Sequence, residues 1–242
     1  GPDPMSRRAF LIVLDGLGIG RAHDQDRYGD GGSDTLGNTL ALAAPELRLP
    51  ALERLGLGSC APLPRIPSVP SPAAAWGTAQ PRSAGKDSTT GHWELAGLLL
   101  EKPFPTFSDG FPAELLAEFS RRTGRGVLGN KVASGTVILD ELAPAHLATG
   151  SWIVYTSADS VLQIAAHEDL VPREELYRAA EIARELCVGD VGVSRVIARP
   201  FVGTPGAWKR TGSRRDYSVP PPGPTLLDRL VEAGVPRHGI GK

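Results

Sequence analysis

The chain is short of cysteine, of excess charge of either sign and of long apolar runs, and each shortage narrows what it can be. Cys60 and Cys187 are its two cysteines. They are too few for a disulfide framework and suit a reducing, cytoplasmic setting. Lys and Arg number 26 against 27 Asp and Glu, a net charge of -1, which argues against a general nucleic-acid or membrane-surface binder. The apolar stretch from Ala9 to Leu14 is too short to span a bilayer, or to form a signal core followed by a cleavage site. A soluble protein is expected. No internal repeat is present. Gly (29) and Pro (22) are abundant but scattered, so they make no low-complexity tract. Two stretches are denser. Pro62 to Pro81 reads as an extended surface crossing. Val219 to Pro224 reads as a stiff spacer, because proline fixes φ and restrains the residue before it. Gly1-Pro2-Asp3-Pro4 ahead of Met5 has the look of a cloning scar and is set aside.

What is present is enough apolar sequence, 41% of 242 residues, for one large domain or two smaller ones. The run Ala9 to Leu14 is predicted as a buried strand that delivers Asp15 to its carboxyl end, where open α/β sheets bind their ligands. A glycine turn (Gly16, Gly18, Gly20) and a polar loop (29–35) lead to a helix over Leu36 to Ala44. A short helix, Pro50 to Leu55, is stopped by Gly56 and Gly58. Pro112 to Thr123 reads as a helix closed by Gly124, with Leu115, Leu116 and Phe119 on one face. Ser151 to Thr156 and Arg195 to Val202 read as strands. Between them, Pro172 to Leu186 is a helix with Leu176, Ala180, Ala183 and Leu186 turned inward. Past the proline joint, Thr225 caps a short helix that stops at Gly234, and His238 to Lys242 is strand-like. The expected organisation is a catalytic core begun over 1–102, an inserted domain over 103–219, and a return to the core over 220–242. A βα unit left unfinished at Lys242 would expose unpaired backbone, so the chain reads as incomplete.

The chemistry concentrates in Gly85-Lys86-Asp87-Ser88-Thr89-Thr90-Gly91-His92-Trp93-Glu94. No core helix or strand needs that mixture, so a hydroxyl-rich loop is expected. A hydroxyl is a poor nucleophile until a base or a metal activates it. His92 lies four residues past Ser88 with nothing to orient it as a base. A divalent ion held by Asp15 is the better activator, since bound water falls to a pKa of about 7 on zinc. Lys86 and the loop N–H groups would offset charge on a transferred phosphoryl group. The plain alternative is a capped loop whose hydroxyls satisfy their own backbone. The five histidines are scattered and show no metal-ligand spacing.

Several blocks taken together resemble the phosphopentomutases of the alkaline phosphatase superfamily. They are Val13 to Gly20, Gly32 to Gly37, Gly85 to Glu94, Gly129-Asn130-Lys131 with Ala133 to Thr136, Tyr155 to Glu168 and Arg195 to Gly203, in that order along the chain. The resemblance implies an α/β, alkaline phosphatase-like core, incomplete here, with an inserted α/β cap. It implies interconversion of ribose (or deoxyribose) 1-phosphate and 5-phosphate by way of a phosphorylated Ser88 and a pentose 1,5-bisphosphate. Asp15 matches a carboxylate of a centre of two manganese ions (magnesium is the alternative), with Ser88 beside it. Ser88 stands where the family usually has threonine. Lys86 belongs to the same motif. Ser157, Asp159 and Val161 match positions that touch the sugar, and Arg195, Arg210 and Lys242 match those that hold the non-reacting phosphate. Guanidinium suits that task, since it binds phosphate through two parallel hydrogen bonds. A bisphosphorylated sugar activator, small pentose phosphates as substrates, and a monomer bound to neither nucleic acid nor membrane complete what it implies. The family's other metal ligands come from a later stretch with no counterpart here, so little turnover by this chain alone is expected. Two other readings are a phosphatase or phosphodiesterase of the same superfamily, and a sugar-phosphate binder without catalysis.

Overall fold

A computed structural model describes residues 8–14 and 16–240; Asp15 and Lys242, both singled out above, fall outside them. The chain divides into two compact units, Gly1–Pro81 and Arg82–Lys242. No helix among the described residues is long and apolar enough to cross a membrane.

The first unit is built from short helices, α1 (Thr35–Leu42) and α2 (Pro50–Leu55), around Leu36, Leu40, Leu63 and Ile66. Asp34 caps α1, accepting hydrogen bonds from Gly37 N at 3.0 Å and from Gly20 N at 2.9 Å. That ties the glycine turn to the helix start and satisfies a donor that would otherwise be orphaned. Pro50 opens α2 and Gly56, at φ 106°, closes it, as the sequence predicts. The strand expected over Ala9 to Leu14 is absent. Phe10 and Ile12 are each 80% exposed and residues 8–14 adopt no regular structure. A buried strand needs neighbouring strands to take its N–H and C=O groups, and among its described residues this unit contains none.

The second unit carries α3 (Ser88–Leu95), α4 (Ala113–Thr123), β1 (Val127–Val132), α5 (Gly135–Thr149), β2 (Trp152–Thr156), β3 (Val161–His167), α6 (Arg173–Leu186), β4 (Arg195–Val202), β5 (Lys209–Arg210), β6 (Arg215–Ser218) and α7 (Leu226–Glu232). Its mixed sheet runs β1-β2-β3-β4-β5, with β6 also on β4. β1 and β2 are parallel across α5, β2 and β3 form an antiparallel hairpin, and β3 and β4 are parallel across α6. The fold is therefore α/β.

Side chains alternate across the sheet with the period of two that strands impose. Trp152, Val154, Leu162, Ile164, Val196 and Ala198 pack on α4 and α6 through Phe119, Leu176, Ala180 and Ala183. Ile153, Tyr155, Ala165 and Phe201 face the other way, onto Ile138, Leu139 and Ala143 of α5. Each fully buried aliphatic side chain here stabilises the fold by about 1.5–3 kcal/mol. The polar residues Gln163, Arg195 and Arg199 share the α5 side by the same alternation.

The helices and strands expected over 112–123, 151–156, 172–186, 195–202 and 225–231 are all present, within a residue or two. The strand expected from His238 is not: residues 238–240 carry no regular structure and Ile240 is 98% exposed. Thr225 caps α7 as expected, and Asp228 completes a capping box with it. Leu226 N donates to Ala96 O at 2.8 Å, so the segments flanking the sheet-bearing region meet again beside α3.

Candidate functional site

On the α5 side of the sheet a cavity of about 340 Å³ is lined by Ser88, Ala133, Ser134, Gly135, Ser157, Asp159, Val161, Gln163, Arg195, Ile197, Arg199, Arg210 and Arg214. All of these belong to the second unit. The first unit has a larger concavity, about 860 Å³, but its lining from Gly58 to Trp76 carries no charged side chain. Of these two, the smaller one offers cationic partners to an anionic ligand.

Ser88 is not in a loop. It is the first residue of α3, and Asp87 is the cap: its carboxylate accepts from Thr90 N at 3.0 Å and from Thr90 Oγ1 at 2.6 Å. The Asp-Ser-Thr-Thr series is thus a helix start, with Thr89 and Thr90 buried and Ser88 half-exposed at the cavity. The glycine at 91 and the low apolar content hid the helix from a pattern search. Two further polar residues serve the scaffold. His92 Nδ1 lies 2.6 Å from the Ser88 carbonyl oxygen, so that nitrogen donates there and is not a base for the hydroxyl. Glu94 accepts from Arg82 N and Ser83 N at 2.8 and 2.9 Å. Burial opposes its charge, but these N–H groups prevail and hold the carboxyl below the ordinary carboxylate range. Lys86 is not among the described residues that line the cavity.

Asp159 is presented by the β2–β3 hairpin. Thr156 Oγ1 donates to Val161 O at 2.7 Å across its base. Buried Ser160 donates to Pro105 O at 2.5 Å and accepts from Ser194 N at 3.2 Å. Ser157 accepts from Asp159 N at 3.3 Å.

Four of the lining residues, Arg195, Arg199, Arg210 and Arg214, are cationic. Arg214 chelates Asp216, with Nε–Oδ1 at 2.6 Å and Nη2–Oδ2 at 2.7 Å, and Arg195 Nη1 reaches the same carboxylate at 3.3 Å. Burial works against charge on Asp216, and the Arg214 hydrogen bond with the surrounding guanidiniums outweighs it, so its pKa lies low. The Arg195 side chain is 11% exposed, and its Nε is buried without a hydrogen-bond partner. Arg199 Nε donates to Gln163 Oε1 at 3.1 Å. Arg210 leans over the first turn of α5, where a Cβ on Gly135 would stand 2.8 Å from its Nη1 and 3.2 Å from Tyr155 Oη. Burial raises the Tyr155 phenol's pKa despite the neighbouring arginines, so it is a neutral donor. Such a lining suits a phosphate: oriented N–H donors, several cations and little competing carboxylate.

Curated proteins with closely similar sequences exist. A phosphopentomutase of Caldanaerobacter subterraneus subsp. tengcongensis is 54% identical over 238 residues, 98% of this chain and 60% of the relative. One from Dictyoglomus turgidum is 55% identical over 236 residues, again 98% and 60%. One from Thermotoga maritima is 54% identical over 237 residues, 97% and 60%. This chain is similar to phosphopentomutases. It spans about 60% of the length of these curated relatives. No family model matches it.

Of the residues singled out by resemblance to phosphopentomutases, Ser88, Ser157, Asp159, Val161, Arg195 and Arg210 line one cavity. Sequence reasoning missed Gln163, Arg199, Arg214 and the Ser134–Gly135 helix start. A signal existed for Arg199, which stands four residues after Arg195 on a predicted strand and so shares its face. Arg214 had none, because β6 is a short edge strand whose place is set by pairing with β4. Among the described residues no group of three or more His, Cys, Asp or Glu could hold a metal ion. His146 and His167 are spoken for inside the fold. His146 Nδ1 lies 2.6 Å from Ser151 O and its Nε2 accepts from His167 N at 2.9 Å, while His167 Nε2 lies 3.1 Å from Gly203 O.

Proposed function

We propose that this chain supplies the nucleophile and the sugar-phosphate pocket of a phosphopentomutase, an isomerase that interconverts (deoxy)ribose 1-phosphate and 5-phosphate. The observation that carries the reading is that Ser88 and four arginines line one cavity. The similarity to curated phosphopentomutases supports it.

In the proposed cycle a phosphoryl group on Ser88 Oγ passes to the free hydroxyl of a bound pentose phosphate. The serine O–P bond breaks as the sugar O–P bond forms, and the proton lost by the sugar hydroxyl is balanced by one taken up on Ser88 Oγ. The resulting 1,5-bisphosphate reorients and its other phosphoryl group returns to Ser88, so a bisphosphorylated sugar is also the natural activator. Arg195 and Arg210 hold whichever phosphate is not reacting, and the dianion is bound in both orientations by the same donors. Ser157, Asp159 and Val161 border the sugar. Arg214, chelated by Asp216, acts through Arg195's position. Water must be kept from the phosphoserine, or the enzyme becomes a phosphatase. The proposal assigns that exclusion to the sheet-bearing region as a cap of an alkaline phosphatase-like fold, hinged near Lys102 and Val219.

Two manganese ions implied by the resemblance do not fit the described residues, which offer no cluster of ligands. Asp15, the expected ligand with Ser88, lies outside them, as does Lys242, expected at the phosphate. The same observation favours a second reading for the 242-residue chain taken alone: it binds pentose phosphate and turns it over slowly or not at all.

The nucleophile is tested by incubating the chain, with and without Mn²⁺, with ribose 1,5-bisphosphate and weighing the intact protein. A phosphoryl adduct is expected on the wild type and none on Ser88→Ala, which should still bind ribose 5-phosphate within about threefold. An adduct that persists in Ser88→Ala refutes the assignment. A verified 242-residue species with rapid mutase turnover refutes the binding-only reading.

A further inference from the structure

Four guanidiniums line the cavity, and Asp216 answers for two of them. Among the described residues, Arg199 and Arg210 have no ion pair. Arg210 is exposed on β5 and can satisfy itself in water. Arg199 cannot do so as readily, because it is half-buried on β4, on the face of the sheet that also carries Arg195 and Ile197. Its one side-chain hydrogen bond among the described residues runs from Nε to Gln163 Oε1 at 3.1 Å, and Gln163 is itself only 5% exposed. A bond through Nε fixes the plane of the guanidinium and leaves both Nη groups to point elsewhere.

Two scaffold arginines of this unit are answered by carboxylates, Arg125 by Glu175 at 2.6 Å and Arg214 by Asp216, and a third, Arg184, by the carbonyl oxygens of Val193 and Cys187. Arg199 is answered by a neutral amide. Burial lowers its pKa, and Arg214 and Arg210 act in the same direction, with Tyr155 and Asp216 opposing. A cation half removed from water, among like charges and without a counter-ion, is unfavourable until an anion arrives. The groups facing that position are Tyr155 from β2, Gln163 from β3, Arg195 from β4, Arg210 from β5 and Arg214 with Asp216 from the β6 edge. Asp159 lines the same cavity.

We infer that Arg199, held in plane by Gln163, is a further phosphate-holding residue of this cavity and gives it a preference for the doubly charged form of a phosphate monoester. The inference rests on the sugar-phosphate reading above. A third oriented guanidinium adds charge-assisted N–H donors that a singly charged ligand repays less well. A phosphate monoester loses its second proton near pH 6, so affinity for ribose 5-phosphate should climb between pH 5.5 and 7.5.

The test is calorimetric titration of the 242-residue chain with ribose 5-phosphate at both pH values, and separately with inorganic phosphate at pH 7.5. Arg199→Gln is expected to weaken both ligands about tenfold at pH 7.5, and to shrink the affinity gained on going from pH 5.5 to 7.5. Arg199→Lys should keep that pH gain, since the charge remains. It should still bind several-fold more weakly than the wild type, because an ammonium lacks the planar pair of N–H donors. Wild-type affinity and pH gain in Arg199→Gln overturn the inference. If that variant does not fold, Arg199→Lys decides, and wild-type affinity there overturns the guanidinium's role. Phosphate binding that depends on Arg199, with no binding of ribose 5-phosphate, keeps Arg199 as a phosphate-holding residue but overturns the monoester preference and the sugar-phosphate reading. Binding of neither ligand by the wild type overturns both.

Discussion

Adding a single methyl group at Gly135 should weaken ligand binding while leaving the fold intact or slightly firmer. Gly135 opens α5 with an ordinary helical backbone, so alanine is sterically allowed there. Gly→Ala at such a site stabilises by about 0.4–1 kcal/mol, mainly by restricting the unfolded chain. The new Cβ, however, would stand 2.8 Å from Arg210 Nη1, 3.2 Å from Tyr155 Oη and 3.3 Å from Arg210 Cζ. Carbon needs roughly 3.5 Å from such atoms. Tyr155 is 1% exposed and has little room to yield, whereas the end of Arg210 is exposed and swings away readily. The fold therefore avoids most of the strain by giving up Arg210's position in the cavity. A lost charge-assisted hydrogen bond is worth about 1.5–3 kcal/mol, or roughly ten- to a hundredfold in Kd. Calorimetry with ribose 5-phosphate and thermal unfolding of the same samples measure the two effects side by side. Unchanged affinity in Gly135→Ala, or a loss of stability larger than about 1 kcal/mol, would refute the reasoning.

Asp216→Asn keeps the shape of the side chain but leaves Arg214 and Arg195 without their shared carboxylate, and a loss of about 1–3 kcal/mol in denaturant unfolding is expected; a wild-type midpoint would show the brace to be idle. His146 gives a pH dependence of definite sign. Burial is the main force holding its pKa below the ordinary 6.5, with His167 and Arg125 adding to it against the Ser151 hydrogen bond. Below about pH 6.5 the unfolded chain takes up a proton that the folded ring refuses. Stability is therefore full above that pH, and falls by up to about 1.4 kcal/mol per unit as pH drops toward the folded pKa. Urea midpoints at pH 7.5, 6.5 and 5.5 should fall less steeply in His146→Gln, and parallel profiles would exclude His146 as the source.

Amino-acid order alone sufficed for the elements that carry strong local signals. The helices over 113–123 and 173–186 were evident because each joins an opening proline to an apolar stripe of helical period, the first also having a glycine stop. The strands at 152–156 and 195–202 were evident from β-branched and aromatic runs. Elements whose formation depends on distant partners were not evident. β1 contains Gly129 and Asn130, both at positive φ, with a register shift between Gly129 and Lys131, and only pairing with β2 makes it a strand. α5 holds Pro144 in its interior, and packing of Ile138, Leu139 and Ala143 on the sheet outweighs that local penalty. Conversely, Ala9 to Leu14 has a strand's composition but no partner strand among the described residues of its unit, so pattern without pairing leaves it exposed and without regular structure.

The site divides the same way. Which residue types the chemistry requires, a hydroxyl behind Lys86-Asp87 and basic groups far along the chain, was already written in the sequence as motifs. That Ser88 heads a helix, that it shares a cavity with Arg195 and Arg210, and that Arg199, Arg214 and Gln163 join them, was decided only in three dimensions. The reason is physical. A motif fixes local bonding over a few residues, whereas the charge felt at a phosphate is summed over strands β3 to β6, whose neighbours are chosen by backbone pairing and by the burial of Tyr155, Ile197 and Phe201.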